Sequence, residues 1–252
     1  MRLKANDVEL FYIEQGKGSP IVFIHGWMDD HSLWNSQIEY FSKNYRVIAY
    51  DQRGHGRSDK PKNGYSIKTL SDDLYNFTQK LNIGQFTLVG HSLGGMAAMV
   101  FALEHPEKVS KLVLVSTGAK SDTSIRIMLW VLIHALPYSI FADGSVDFKY
   151  YKPSKQIKAE AVDRALRTPK FAACECLREF CSNYDIRDRV SIIKVPTLII
   201  VGDKDTSTPV NMSRYLRREI EGSKLAIIPD SKHMPMIDRA DTVNEVIGEF
   251  LS

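Results

Sequence analysis

The chain has 252 residues, of which 44% are hydrophobic and 25% charged, and its formal net charge is +3. That length accommodates one α/β domain with an insertion, and the apolar share supports a sizeable core. Lys and Arg interleave with Asp and Glu without a basic block or an aromatic platform, which gives no footing for a nucleic-acid partner. Met1 to Asp7 carry some positive charge but no apolar stretch follows, so no secretory signal is expected and the expected location is cytoplasmic.

Leu3 to Glu14 reads as an opening antiparallel hairpin turning at Asn6-Asp7. An apolar strand over 20–24, a helix from about 31 to 43 and a strand over 45–50 follow. Leu70, Leu74, Phe77 and Leu81 stand at helical spacing and predict a helix near 66–81. Phe86 to Val89 is a short apolar strand, Met96 to Leu103 a well-buried helix, and Val109 to Val115 another strand. About eighty residues then separate Val115 from Val195, more than one crossover helix needs, so an insertion is expected where the strands end. Its first part, Ile125 to Phe141, is strongly apolar but short, holds His134 and is broken by Pro137. With Arg126 near its start it is not expected to cross a membrane. It is expected instead to roof an apolar pocket, with Trp130, Ile133 and Tyr138 as candidate substrate contacts. The stretch from Tyr150 to about Arg189 reads as solvated helix faces over a stripe that includes Ala172, Leu177 and Phe180. Cys174, Cys176 and Cys181 all fall there; an odd number without a signal predicts free thiols, and no fourth ligand is near for a metal. Val195 to Val201 is a buried strand ending in Gly202-Asp203-Lys204-Asp205, and Lys224 to Pro229 is another, followed by Asp230-Ser231-Lys232-His233. Val243, Val246, Ile247, Phe250 and Leu251 make the apolar face of a closing helix.

Chemistry concentrates at Gly90, Ser92 and Gly94, a G-x-S-x-G pentapeptide joining a buried strand to a helix. A sharp turn there presents the Ser92 hydroxyl at a helix N-terminus, where backbone N–H groups favour developing negative charge. A serine hydroxyl needs a base, and the base an acid to fix its tautomer. His233 supplies the first, and the carboxylates after Val201 supply the second. The chain order Ser, Asp, His is associated with one hydrolase architecture and not with the other two common triad folds.

On these residues the sequence resembles the α/β-hydrolase family over nearly its whole length, except about 119–188. Ile21-Val-Phe-Ile-His25-Gly26-Trp27 resembles the family's strand and oxyanion loop, Asp51-Gln-Arg-Gly-His-Gly-Arg-Ser58 its D-x-R-G-x-G-x-S turn, and Gly90 to Gly95 its nucleophile elbow. Serine at the elbow separates it from the aspartate-bearing dehalogenase and epoxide hydrolase branches. The resemblance implies a mostly parallel eight-stranded sheet with helices on both faces, formed by 1–118 and 189–252, and a helical cap formed by 119–188. It assigns Asp205 as the acid, with Asp203 a helper, His233 as the base, and Asp238 as the acidic residue that follows the histidine. The backbone N–H groups of Trp27 and Leu93 are implied as oxyanion donors. Ser231-Lys232 stand before His233 where glycine is more frequent in the family.

The implied activity is cofactor-independent hydrolysis of a small or medium apolar carboxylic ester through an acyl-enzyme on Ser92. Lactone opening, carbon–carbon bond hydrolysis and perhydrolysis use the same residues in the family, and some members bind a small molecule and signal with slow turnover. His25, His55 and His91 are expected as turn-stabilising residues, Arg53 as a hydrogen-bond hub, and Asp59 and Asp72-Asp73 as turn and helix-surface residues. Gly54-His55-Gly56 lacks the third glycine of a dinucleotide loop, and Gly90 to Gly95 lacks the Lys-Ser/Thr of a phosphate loop.

Overall fold

The computed structural model describes residues 1–121, 123–182 and 184–252. The side chains of Arg126, Phe180 and Cys181, which enter the sequence reading, lie outside the described residues. The chain opens with β1 (Arg2–Ala5) and β2 (Val8–Gln15), an antiparallel pair turning at Asn6, whose φ of 54° suits an asparagine. β3 (Pro20–Ile24) leads to a 3-10 turn at His31–Trp34, capped by the Asp30 carboxylate, and then to α1 (Asn35–Phe41). The single helix expected over 31–43 is thus split, because Asp30 draws the Ser32 N–H into a local bond at 2.9 Å.

β4 (Arg46–Tyr50) precedes α2 (Ile67–Lys80), whose N-cap Ser66 accepts from Thr69 N at 3.1 Å, a bond worth about 1 kcal/mol. β5 (Phe86–His91) is buried at every position and passes through Ser92 directly into α3 (Leu93–Glu104). That helix begins three residues before the expected Met96. After β6 (Val109–Val115) come α4 (Thr123–Ala135), α5 (Tyr138–Lys149), α6 (Lys155–Leu166) and α7 (Lys170–Ser182). Pro137 stands as the N-cap of α5, so the apolar run 125–141 divides between two helices. β7 (Thr197–Gly202), α8 (Val210–Glu219), β8 (Lys224–Ile228), the short α9 (Pro235–Asp238) and α10 (Ala240–Leu251) complete the chain.

The described strands form one eight-stranded sheet in the order β1-β2-β4-β3-β5-β6-β7-β8, parallel from β4 to β8. Side chains alternate across it. Val22, Ile24 and Leu88 join Leu74, Phe77 and Ala97 on one face, while Ile21, Phe23 and Val89 join Ile38, Phe41 and Val243 on the other. Order reverses between β3 and β5, where Ile24 pairs with Gly90. The loops leaving those two strands, which carry Trp27 and Ser92, therefore emerge side by side at a switch point where ligands bind in such sheets.

The four helices α4 to α7 lie between β6 and β7 in sequence. The two ends of that segment meet: Lys120 bridges Asp185 antiparallel, and Ile186 N donates to Ala119 O at 2.9 Å. No helix among the described residues is long and apolar enough to cross a membrane.

Two expectations for polar residues come out differently. Arg53 is the expected hub, donating to Asp73 at 2.6 and 2.8 Å and to Asp7 at 2.8 Å. Its main partner Asp73, however, is not a surface residue but is 2% exposed. It sits on the α2 face turned inward, where a lone carboxylate is tolerated because the guanidinium and Asn6 satisfy both oxygens.

Candidate active site

The turn between β5 and α3 holds Ser92 at φ 50° and ψ −114°, a conformation that costs a non-glycine residue energy. The surroundings enforce it. Ser92 N donates to Val115 O at 3.0 Å, and Ser92 O accepts from Met96 N at 3.0 Å and Thr117 Oγ1 at 2.8 Å. A Cβ on Gly90 would stand 2.5 Å from Gly94 O, and one on Gly94 2.5 Å from His25 O, so glycine is required at both positions for close backbone approach.

Three residues separated widely in sequence meet above this turn. His233 Nε2 lies 3.0 Å from Ser92 Oγ, and His233 Nδ1 lies 2.9 Å from Asp205 Oδ2. Asp205 follows β7, and its carboxylate also accepts from Ser207 N, Thr208 N and Thr208 Oγ1 at 2.7–2.9 Å. Burial opposes its charge, but the His233 ring and the Thr208 donors prevail and hold its pKa below the ordinary carboxylate value. Asp203 makes no contact with the histidine: it accepts from Ser231 N at 3.2 Å and Lys204 Nζ at 3.3 Å at the surface.

The His233 loop is braced from three directions. Asp238 accepts from Lys232 N at 2.9 Å, Ser231 Oγ at 3.2 Å and Tyr151 N at 3.1 Å. His233 N donates to Lys149 O at 2.9 Å, and His91 Nε2 donates to His233 O at 3.0 Å. The other motif histidines are turn residues: Gln52 N donates to His25 Nε2 at 2.9 Å, leaving Nδ1 to donate to Gly26 O at 2.7 Å, and His55 Nδ1 donates to Arg53 O at 2.9 Å. Burial pushes both His55 and His91 down to about 3.

The family model of the alpha/beta hydrolase fold matches residues 19–143. An AB hydrolase superfamily protein of Bacillus subtilis is 30% identical, with 96% of this chain and 95% of that protein covered. The chain belongs to the α/β-hydrolase family. Its structure superimposes on the enol-lactonase from Burkholderia xenovorans with a TM-score of 0.94 at 26% identity, covering 100% of this chain and 99% of the other. An esterase from Exiguobacterium antarcticum gives the same TM-score at 24% identity, covering 100% and 99%, a likeness of fold alone.

A cavity opens over Ser92 in this family member, and its walls differ from the expected ones. Trp27, Met96, Ile125, Leu129, Phe148 and Met212 form the apolar side, and Asp29, Lys120, Lys149 and Thr208 are among the polar lining. Trp130, Ile133 and Tyr138 are not in it. Trp130 is 42% exposed and lies against His134 on the outer side of α4. Ile133 is fully buried in the core, and Tyr138 donates its hydroxyl to Thr168 O at 2.7 Å. The reason is angular: α4 is apolar around its circumference, so only the packing selects Ile125 and Leu129, one turn apart, as the inward pair.

Thr208 and Lys149 escaped the sequence reading. Thr208 had a local signal, since Asp205-Thr206-Ser207-Thr208-Pro209 before a helix favours side-chain-to-backbone turns. Lys149 had none, because its place depends on how α5 docks. Among the described residues, one cluster, Asp30, His31 and Asp51, has metal-ligand spacing. Its carboxylates are already engaged: Asp51 accepts from His31 Nδ1, His31 N and Arg57 N at 2.7 Å, and Asp30 from Ser32 N at 2.9 Å and Arg167 at 2.7 Å.

Proposed function

We propose that this chain is a serine hydrolase of carboxylic esters, with Ser92 as nucleophile, His233 as general base and Asp205 as its orienting acid. The observation that carries the reading is the unbroken line from Ser92 Oγ through His233 to Asp205, at 3.0 and 2.9 Å, on a strained elbow. Ser92 Oγ attacks the acyl carbonyl as His233 Nε2 takes its proton; the alcohol leaves with that proton, and a water activated by the same imidazole releases the acid. The N–H groups of Leu93, which opens α3, and of Trp27, which lines the same cavity, are the proposed oxyanion donors.

Residues 119–188 form the proposed cap. Trp27 Nε1 donates to Ala173 O at 3.0 Å and Arg167 to Asp30 at 2.7 Å, so the loop that carries Trp27 is tied directly to these helices. Ile125, Leu129 and Phe148 are the side chains through which the cap sets acyl or alcohol size. A lactone is the second substrate form the site supports, because its acyl–oxygen bond asks for the same attack and because the enol-lactonase of Burkholderia xenovorans covers this chain from end to end at 26% identity.

The test is hydrolysis of p-nitrophenyl esters from acetate to laurate by the wild-type chain and Ser92→Ala at equal concentration. Turnover that the substitution abolishes, with a preferred chain length, is the expected result. Absence of turnover on every ester and on simple lactones overturns the reading.

A further inference from the structure

Lys149 ends α5 inside the cavity over Ser92, and its circumstances are unusual for a lysine. Its side chain is only 13% exposed, and its ammonium makes no hydrogen bond among the described residues. Its ion-pair partner, Asp29, stands 3.8 Å away, beyond hydrogen-bonding distance. Asp29 has a second cation beside it, since Arg164 approaches its other oxygen at 3.6 Å while donating to Tyr150 at 2.9 Å, although Lys149 is the stronger of the two charges that hold the Asp29 carboxyl low. Two cations therefore share one carboxylate; Asp29 and Lys149 both line the cavity, and Asp29 Oδ2 has no hydrogen-bond partner among the described residues.

A buried ammonium with its donors unspent carries a desolvation cost that a well-packed apolar side chain would avoid. The position is also held firmly. Lys149 O accepts from His233 N at 2.9 Å, which fixes the root of the lysine against the loop of the proposed base. The second lysine of the cavity, Lys120, already has Asp185 at 3.4 Å. Lys149 and Arg164 thus flank a single carboxylate, Asp29, at one side of a largely apolar cavity.

We propose that Lys149 recognises an anionic group on the substrate, and that the substrate is an ester or lactone bearing a free carboxylate beyond its scissile carbonyl. The substrate class rests on the serine-hydrolase reading above; the anion site rests on the cavity alone. Ile125, Leu129 and Phe148 contact the carbon skeleton, and the carboxylate accepts the hydrogen bonds that the ammonium does not make to Asp29.

The test is calorimetric binding of monomethyl glutarate and dimethyl glutarate to Ser92→Ala, which holds an ester without turnover. The monoanion is expected to bind on the order of tenfold more tightly than the neutral diester, the scale of one charge-assisted hydrogen bond. Adding Lys149→Met is expected to bring the ratio near unity, and Lys149→Arg to keep it. A thermal melt checks each variant, and Lys149→Gln replaces the methionine variant if that one does not fold. Equal binding of the two esters, binding of neither, or a preference that survives loss of the charge overturns the proposal. Hydrolysis of the monoester by the wild-type chain is read separately, so failure of the hydrolase reading leaves the binding result standing on its own.

Discussion

In β5 all six residues are buried and every one has a neighbour dictated by register, with Val89 opposite Phe23 on one side and Val113 on the other. In α4, Ile127, Trp130 and Val131 are exposed while Ile133 is fully buried, although all four are large and apolar. The sheet thus places its side chains by a two-residue alternation that leaves one solution, whereas the inserted helices place theirs by docking alone. Chemistry follows the same division. Ser92, Asp205 and His233 all lie just past strand ends, while the side chains that would choose a substrate, Ile125, Leu129, Phe148 and Lys149, come from α4 and α5.

The sharpest way to break that comparison is at the strand ends. Asp205→Asn is expected to lower kcat by about 10⁴-fold, because the amide stabilises the wrong imidazole tautomer. Asp203→Asn, at a carboxylate that accepts from Ser231 and Lys204 and stands away from His233, is expected to cost far less. Ester turnover of the two variants side by side checks the difference, and the reverse order would move the acid to Asp203.

Acid stability is the next largest effect, and it belongs to the end of β5 and the turn after β4. His55 and His91 are both buried with pKa values near 3, so the unfolded chain binds more protons than the folded one between that value and the ordinary imidazole range. Their contribution is complete above about pH 6.5 and is lost as pH falls. From pH 7 to 5 each is expected to remove at most roughly 2 kcal/mol. Urea unfolding of wild type and His55→Gln at both pH values checks this: the fall should shrink in the variant, and parallel curves would refute it.

The smallest effect sharpens the comparison within one helix. Leu129→Ala is expected to shift chain-length preference about tenfold toward longer esters, whereas Trp130→Ala, one residue on and facing outward, should leave preference unchanged. The p-nitrophenyl ester series applied to both variants measures it. Equal shifts would mean that α4 is turned differently when substrate is bound.

Much of the framework was legible because its signals are local. The hairpin turn at Asn6, the elbow glycines and the alternating strands each need only neighbouring residues to be read. The resemblance to the α/β-hydrolase family implied Asp205 over Asp203 as the acid, and in the structure the Asp205 carboxylate lies 2.9 Å from His233 Nδ1. What was misread lay on helices. Charge on a helix usually faces water, and the burial of Asp73 is tolerable because Arg53, twenty positions away, and Asn6 hydrogen-bond its carboxylate.

By itself, then, the sequence determined the α/β sheet, the family and the residues standing at the strand ends, because backbone geometry ties each to a short motif. Tertiary structure alone decided which side of α4 meets the cavity and that Lys149 reaches it. A helix apolar on every side has no preferred face until it packs, and a lysine at a helix end acquires a neighbour such as Asp29, 120 positions earlier, only when α5 takes its place in the fold.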